Sequence, residues 1–395
     1  MNILFQFDDP IIASSGGVER VTDTLAKELI KRGHNVSFLC HQKMCLLDED
    51  IEQSADQYFI DLSQSRNDIK KRVANIIKSH KTEYIITQNP NYKQLNIAKM
   101  FPKFIKKVSV CHTQPYSFDS FDRKRISELK PINCKHQLFL TIARLFPIFY
   151  KAYFAIQTNM LFRRIFAESD KFCFISSSFY HRIENHIKIP RNKLFAIPNP
   201  NTFSVTYENT PKERLILWIG RVENNGKNAI GFIKMWELFS KKNIGWNAIM
   251  IGSGPDLETN QKYVENHNIE NITFTGKISN VQDYYKRARF VVVTSWSESW
   301  SMVLTEGMSY GCIPCAYKTY ETISDIIDDK KNGIIIPKVA PQMMSDRLTE
   351  LANDEDLLNV MSKESKKKVQ QFSVERITDL WEHLLESLNG TTSLL

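Results

Sequence analysis

Apolar and polar positions along the chain fall into alternating blocks: short apolar runs closed by turn residues, then longer stretches with helical spacing. Residues 3–7 predict a strand, 19–32 a helix and 35–40 the next strand, with Gly33 placed as a helix C-cap. Residues 84–87, 108–111 and 171–175 predict further strands. A stretch over 194–197 then meets Pro198-Asn199-Pro200, a turn signal and the expected interdomain hinge. The second half restarts with a strand over 215–219, a helix over 229–241 and a strand over 247–251. It continues with a helix over 257–267, a strand over 272–275, a helix over 281–287 and a strand over 290–294. Residues 373–388 carry Val374, Ile377, Leu380, Trp381, Leu384 and Leu388 at helical spacing, and the tail after Asn389 reads as disordered. No internal repeat is visible. Strands alternating with helices predict α/β domains on parallel sheets. The expected division is an N-terminal domain over 1–199, a second over 200–372, and a terminal helix and tail over 373–395.

Composition narrows the class. A chain of 395 residues exceeds one ordinary core and predicts two domains of roughly 200 residues each. A hydrophobic fraction of 42% with 24% charged residues is that of a soluble globular protein. Seven scattered cysteines, an odd number, point to reduced thiols and a cytoplasmic setting. Cys312-Ile-Pro-Cys315 has redox-motif spacing. It lies in what reads as a loop entering an apolar strand, with no second Cys/His pair nearby, so it is read as structural and no metal is expected. The N-terminus has no basic n-region, and no run of 18 uncharged apolar residues occurs.

The net charge of +8 is concentrated. Residues 121–166 hold nine Lys or Arg against Asp122 and Glu128, within a segment rich in Leu, Phe, Ile and Tyr. Such a segment suits peripheral contact with an anionic membrane, on the inner face of the cell membrane. It equally suits two helices packed on their own domain with their lysines turned outward. No nucleic-acid-binding motif accompanies the charge, and no nucleic-acid partner is expected.

The densest chemistry follows the strand over 290–294. A polar turn carrying Glu298 leads into a helix over 302–310 with Glu306 in its first turns. A strand running into a helix N-terminus offers free backbone N–H groups and a positive dipole end to an anion. Ionised carboxylates accept from sugar hydroxyls. Gly220-Arg221, followed by Lys227, lies between another strand and helix, where Arg and Lys can clamp a diphosphate. Gly252-Ser253-Gly254-Pro255 is a tight turn. Gly16 and Gly17 open the first helix, where a backbone can approach a ligand closely. His112 lies just past the carboxyl end of a predicted strand, the end at which parallel sheets bind ligands. Three spaced glycines followed by an acidic residue are absent, which counts against a nicotinamide cofactor.

Glu298 and Glu306, seven residues intervening, within ESWSMVLTEGMSYG resemble the signature of the family 4 retaining glycosyltransferases (glycosyl transferases group 1). The resemblance covers the whole chain. It implies the GT-B fold: α/β, two Rossmann-like domains facing a central cleft, with the C-terminal helix crossing back to the first domain. It assigns Glu298 to the donor sugar and Glu306 to the nucleotide ribose, with the backbone at Ser301, Met302 and Val303 meeting the diphosphate. Arg221 and Lys227 inherit a diphosphate-binding role, Gly254 a place beside the base, Gly16 and Gly17 one near the transferred sugar, and His112 a contact with that sugar. Three departures are visible: Ser301 stands where glycine is frequent, Gly307 where alanine is frequent, and Arg221 and Lys227 are six positions apart, where five is more frequent.

The expected function is therefore a retaining hexosyltransferase. It would move sugar from a nucleotide diphosphate donor, a UDP-sugar favoured, to a glycan or lipid-linked acceptor in bacterial capsule, O-antigen or lipopolysaccharide synthesis. Neither cofactor nor metal is required by that resemblance. A glycosidase would need its two carboxylates flanking one bond about 5–9.5 Å apart, whereas in the family the two glutamates serve different parts of the donor. Two other readings stand beside it: a different GT-B enzyme such as a nucleotide-sugar epimerase or sugar phosphorylase, and a non-catalytic glycosyltransferase-like binding subunit.

Overall fold

The computed structural model describes residues 1–12, 16–41, 54–117, 134–206 and 211–389. The chain separates into two compact units, Met1–Pro198 with Thr378–Leu395, and Asn199–Ile377. Ser14, Ser15, Cys45, the tail beyond Asn389 and the start of the basic segment lie outside the described residues.

The first unit holds β1 (Asn2–Gln6), β2 (Asn35–Cys40), β3 (Asp56–Phe59), β4 (Tyr84–Gln88), β5 (Lys106–Cys111), β6 (Lys171–Phe174) and β7 (Leu194–Ala196). They form one sheet in the order β3-β2-β1-β4-β5-β6-β7, every pairing parallel. Central strands of such a sheet are covered on both faces, which is why β1 and β4 read as apolar runs. Leu4, Leu39 and Ile85 pack on Ile69, Val73 and Ile76 of the amphipathic helix Arg66–His80. That helix starts where the Ser65 hydroxyl accepts from the Asp68 amide and ends at Lys81 in the left-handed region.

The second unit holds β8 (Glu213–Ile219), β9 (Asn247–Ile251), β10 (Ile272–Gly276), β11 (Ala288–Val293), β12 (Ile313–Tyr317) and β13 (Ile334–Ile336). Its order, β10-β9-β8-β11-β12-β13, is again wholly parallel. Trp218, Phe232, Trp236, Phe239, Trp246 and Phe290 fill its core. In both sheets the order reverses direction beside the first strand, between β1 and β4 and between β8 and β11. Doubly wound sheets bind ligands outside the carboxyl ends at that switch point.

One expectation needs correction. Pro314 and Cys315 are not in a loop entering a strand but inside β12, with Pro314 in register with Val291. Cys312 and Cys315 are buried free thiols. The described part of the basic aromatic segment forms the helices Cys134–Leu145 and Pro147–Glu168, which turn apolar side chains outward together with Arg144 and Arg163. Leu138, Leu145, Ile148, Phe149, Ile156 and Met160 are each more than half exposed. Among the described residues no helix is long and apolar enough to cross a membrane.

The terminal helix Val374–Ser387 delivers its later residues to the first unit. There the Arg32 guanidinium donates to Asp379 and Glu382 at 2.6 Å each, and the His34 ring meets Glu382 at 2.6 Å.

Candidate active site

In the second unit the loops leaving β8 and β11 lie at the switch point and are stitched together. The Thr294 hydroxyl donates to the Asn228 carbonyl at 2.9 Å and accepts from the Trp218 indole at 3.1 Å. The Asn228 amide returns a bond to the Thr294 carbonyl at 3.1 Å. Trp296 donates its backbone N–H to Gly226 and its indole N–H to Asn224, both at 3.0 Å. Asn228 is held at φ 51°, in the left-handed region, and provides no cap. Asn224 caps the helix Ala229–Ser240 instead, its side-chain oxygen accepting from the Ile230 amide at 2.9 Å. The longer spacing between Arg221 and Lys227 is thus built into a capping turn.

This stitching delivers Lys227 to Glu298. The ammonium donates to Glu298 Oε1 at 2.6 Å, and the Ser295 hydroxyl donates to the same oxygen at 2.7 Å. Glu298 is mostly buried, whereas about a third of Lys227 remains exposed. Glu298 Oε2 accepts no hydrogen bond among the described residues. Thr319 and Thr322 hold the loop from below, donating to the carbonyls of Ser295 and Ser299 at 2.7 and 2.8 Å. Arg221 stands apart, largely exposed, its side chain making among the described residues only a long 3.6 Å contact to Glu223.

Ser301 precedes the helix Met302–Ser309 in extended conformation and makes no side-chain cap. The first amides of this helix, at Met302 and Val303, have no intrahelical acceptor. Beside them Tyr320 is buried, its hydroxyl close to the Ser301 side chain. Burial, and then the Glu298 charge, push its pKa well above the usual range. Gly254 completes the rim. A Cβ there would come within 2.3 Å of the Val222 carbonyl, so the turn after β9 lies directly on the backbone after β8.

Glu306 occupies a different environment. It is buried, Oε1 accepting from the Thr202 hydroxyl at 2.8 Å and Oε2 from the Tyr285 phenol at 3.3 Å. The structure therefore brings Lys227 and Glu298 into contact, leaves Arg221 at the surface, and encloses Glu306 among side chains of its own unit. Thr202, Tyr285, Thr294, Thr319 and Tyr320 escaped the sequence reading, since each is an ordinary residue until the fold places it. Gly307 explains its own departure from the common pattern: a Cβ there would meet Val291 at 2.9 Å and Tyr285 at 3.3 Å.

In the first unit, His112 follows β5 and is buried, its Nε2 2.5 Å from Gln88 Oε1 and its backbone N–H donating to Asn89 at 2.8 Å. Gly16 caps the helix Gly17–Lys31 without a side chain, and the position of Gly17 has open space where a Cβ would stand. Gln6, at the end of β1, bonds both the His41 ring at 2.9 Å and the Gln94 carbonyl at 3.1 Å. Among the described residues, no group of three His, Cys, Asp or Glu is arranged to hold a metal ion.

The comparisons with known proteins agree with this architecture. Residues 202–368 match the family model Glycosyl transferases group 1, and residues 15–200 match Glycosyltransferase Family 4. The chain belongs to the group 1/family 4 glycosyltransferases, and its fold is GT-B. It is 22% identical over 389 residues to an uncharacterised glycosyltransferase of Haemophilus influenzae, covering 95% of this chain and 97% of that one. A Campylobacter jejuni enzyme is 23% identical over 216 residues, 54% of this chain and 58% of its own. It is named as an α-1,4-N-acetyl-D-galactosaminyltransferase acting on a GalNAc-containing diphospho-undecaprenol. Among solved structures, Anabaena HepE in complex with UDP superposes with a TM-score of 0.71 at 15% identity, covering 98% of this chain and 100% of that chain.

Proposed function

We propose that this glycosyltransferase moves a hexose from a nucleotide diphosphate donor, a UDP-sugar favoured, to a hydroxyl of a glycan or lipid-linked acceptor. We assign it to bacterial surface polysaccharide synthesis, with the anomeric configuration of the donor retained. The observation that carries the reading is the Lys227–Glu298 contact at the β8/β11 switch point. A diphosphate entering there meets the Lys227 ammonium, the amides at Ser301, Met302 and Val303, and Arg221 free to swing in from solvent. The sugar then lies against Glu298, whose Oε2 is available to a hydroxyl donor. As the bond from the anomeric carbon to the diphosphate breaks, charge grows on the leaving oxygen. Lys227 and the amides stabilise it without reorganising. The acceptor oxygen bonds to the anomeric carbon on the same face, and its proton passes to the leaving phosphate oxygen. Charge neutralisation in this scheme falls to protein groups and calls for no metal or other cofactor. Glu306 serves the ribose, with Thr202 and Tyr285 orienting its carboxylate, Gly254 borders the base, and His112, Gly16 and Gly17 belong to the sugar and acceptor side.

A UDP complex among the similar folds supports the donor class, and the undecaprenol-linked substrate of the Campylobacter relative supports the acceptor class. The outward apolar face of helices Cys134–Leu145 and Pro147–Glu168, with Arg144, Lys151, Arg163 and Arg164 on the same helices, suits peripheral docking on the anionic inner face of the cell membrane. The test is transfer from UDP-, GDP- and ADP-sugars to undecaprenyl-diphosphate-linked glycans, followed by mass spectrometry and by proton NMR of the anomeric centre. One UDP-sugar is expected to give a retained product. An inverted product, or turnover of no UDP-sugar, would overturn the reading.

A further inference from the structure

A cavity of about 520 Å³ in the second unit lies at the opposite end of the sheet from the proposed donor site. Among the described residues its walls carry Lys212, Lys286, Arg289, Lys363 and Lys366, against one carboxylate, Glu355. Lys212 immediately precedes β8 and Arg289 is the second residue of β11, so both mark the amino ends of strands whose carboxyl ends carry the loops of Arg221 and Glu298. A seven-residue strand spans roughly 20 Å. The two sites are therefore separate.

Among the described residues these cations are poorly compensated. Glu355 is taken up by Arg289, which also donates to Asn359 at 3.2 Å, and Lys286 reaches Asp283 at 3.5 Å. Lys212, Lys363 and Lys366 have no carboxylate partner among the described residues. The Lys212 ammonium donates to the Tyr285 carbonyl at 2.8 Å and lies 3.9 Å from the Cys312 sulfur. Burial keeps that thiol above its ordinary pKa, so it supplies no counter-charge. Burial likewise pulls Lys212 and Lys366 below the usual ammonium range. Lys363 and Lys366 lie one turn apart on the helix Glu355–Val369, on the face that also carries Glu355, Asn359 and Ser362.

Like charges gathered around a shared cavity, Arg289 buried and Lys212 and Lys366 partly so, repel one another unless an anion joins them. Lysine ammoniums are point-charge partners for phosphate oxygens, and the volume is that of a small-molecule site. We propose that this cavity binds a small phosphate-bearing ligand, a phosphate monoester or a diphosphate, independently of the nucleotide-sugar donor. Tyr310 lines the cavity and stacks on Tyr285, with 6.0 Å between ring centroids, so the bound anion would lie behind the residue that donates to Glu306.

The test is calorimetric titration of inorganic pyrophosphate, and separately of inorganic phosphate, into the full chain carrying Arg221→Ala and Lys227→Ala. These changes remove the proposed donor clamp. Pyrophosphate is expected to bind, and binding should fall at least tenfold when Lys363→Gln and Lys366→Gln are added. Tighter binding of pyrophosphate than of phosphate points to a diphosphate ligand, and equal binding to a monoester. On the unaltered chain, saturating pyrophosphate should protect Lys363 and Lys366 from acylation read by mass spectrometry, a readout that needs no variant to fold. Loss of all pyrophosphate binding with Arg221→Ala and Lys227→Ala would overturn the proposal, as would undiminished acylation of both lysines.

Discussion

The Lys227 ammonium donates to Glu298 Oε1 at 2.6 Å, joining the loop after β8 to the loop after β11 through opposite charges. In the free protein each neutralises the other. With a donor bound, the diphosphate competes for Lys227 and the sugar hydroxyls compete for Glu298. Glu298→Gln keeps the shape and removes the charge, freeing the ammonium. Nucleotide diphosphate affinity should hold or rise, while kcat for transfer falls by about 10²–10³, the range seen when one preorganised electrostatic contact is lost. Steady-state kinetics with parallel nucleotide titration separates the two effects.

Gly307 lies where a methyl group has no room, against Val291 and Tyr285. Gly307→Ala should destabilise the protein by about 1–3 kcal/mol, the usual cost of overpacking, despite the better helix propensity of alanine. Urea unfolding measures it. A variant as stable as the parent would show that Val291 and Tyr285 yield freely.

His41 is buried beside Gln6, and burial first, then the Lys93 charge, lowers its pKa to about 4. The unfolded chain binds the proton near pH 6.5 and the folded chain only near 4, so the unfolded state holds more protons between them and stability rises with pH there. As pH drops from about 6.5 to 4 this site should cost up to about 3 kcal/mol. His80, also lowered by burial, adds in the same direction. His41→Gln should flatten the acid limb of a plot of unfolding free energy against pH. An unchanged slope would mean that His41 is protonated in the fold.

Much of this was legible beforehand, and the reason is local. The strands 35–40 and 247–251 have the predicted bounds because each apolar run is bracketed by turn residues. Glu298 and Lys227 stood out because charged residues between a strand and a helix are informative at short range. What stayed hidden depended on distant segments. Thr202 reaches Glu306 across 104 positions and Tyr285 across 21, and neither residue type signals a partner. β13, three residues of isoleucine, is too short to show a period. The helices Cys134–Leu145 and Pro147–Glu168 read equally as packed or lipid-facing, because composition does not say which face turns outward.

That outward face makes its own prediction. Ile148 and Phe149 are 73% and 57% exposed, so replacing both with Glu costs the fold little. On a bilayer each would otherwise bury apolar surface worth about 1.5–3 kcal/mol. Sedimentation with phosphatidylglycerol vesicles should fall at least about fivefold in the double variant. Phosphatidylcholine vesicles should bind the parent chain weakly, since they offer no anionic surface. Equal sedimentation of parent and variant would remove membrane docking from the scheme.

Isothermal calorimetry of the chain against UDP, GDP and ADP, repeated with Lys227→Ala, tests the donor site most directly. One nucleotide, UDP, should bind with a Kd on the order of micromolar, weakening at least tenfold in the variant as the ammonium–diphosphate contact is lost. Binding of none of the three, or UDP binding untouched by Lys227→Ala, would contradict a nucleotide-sugar site built on the Lys227–Glu298 pair.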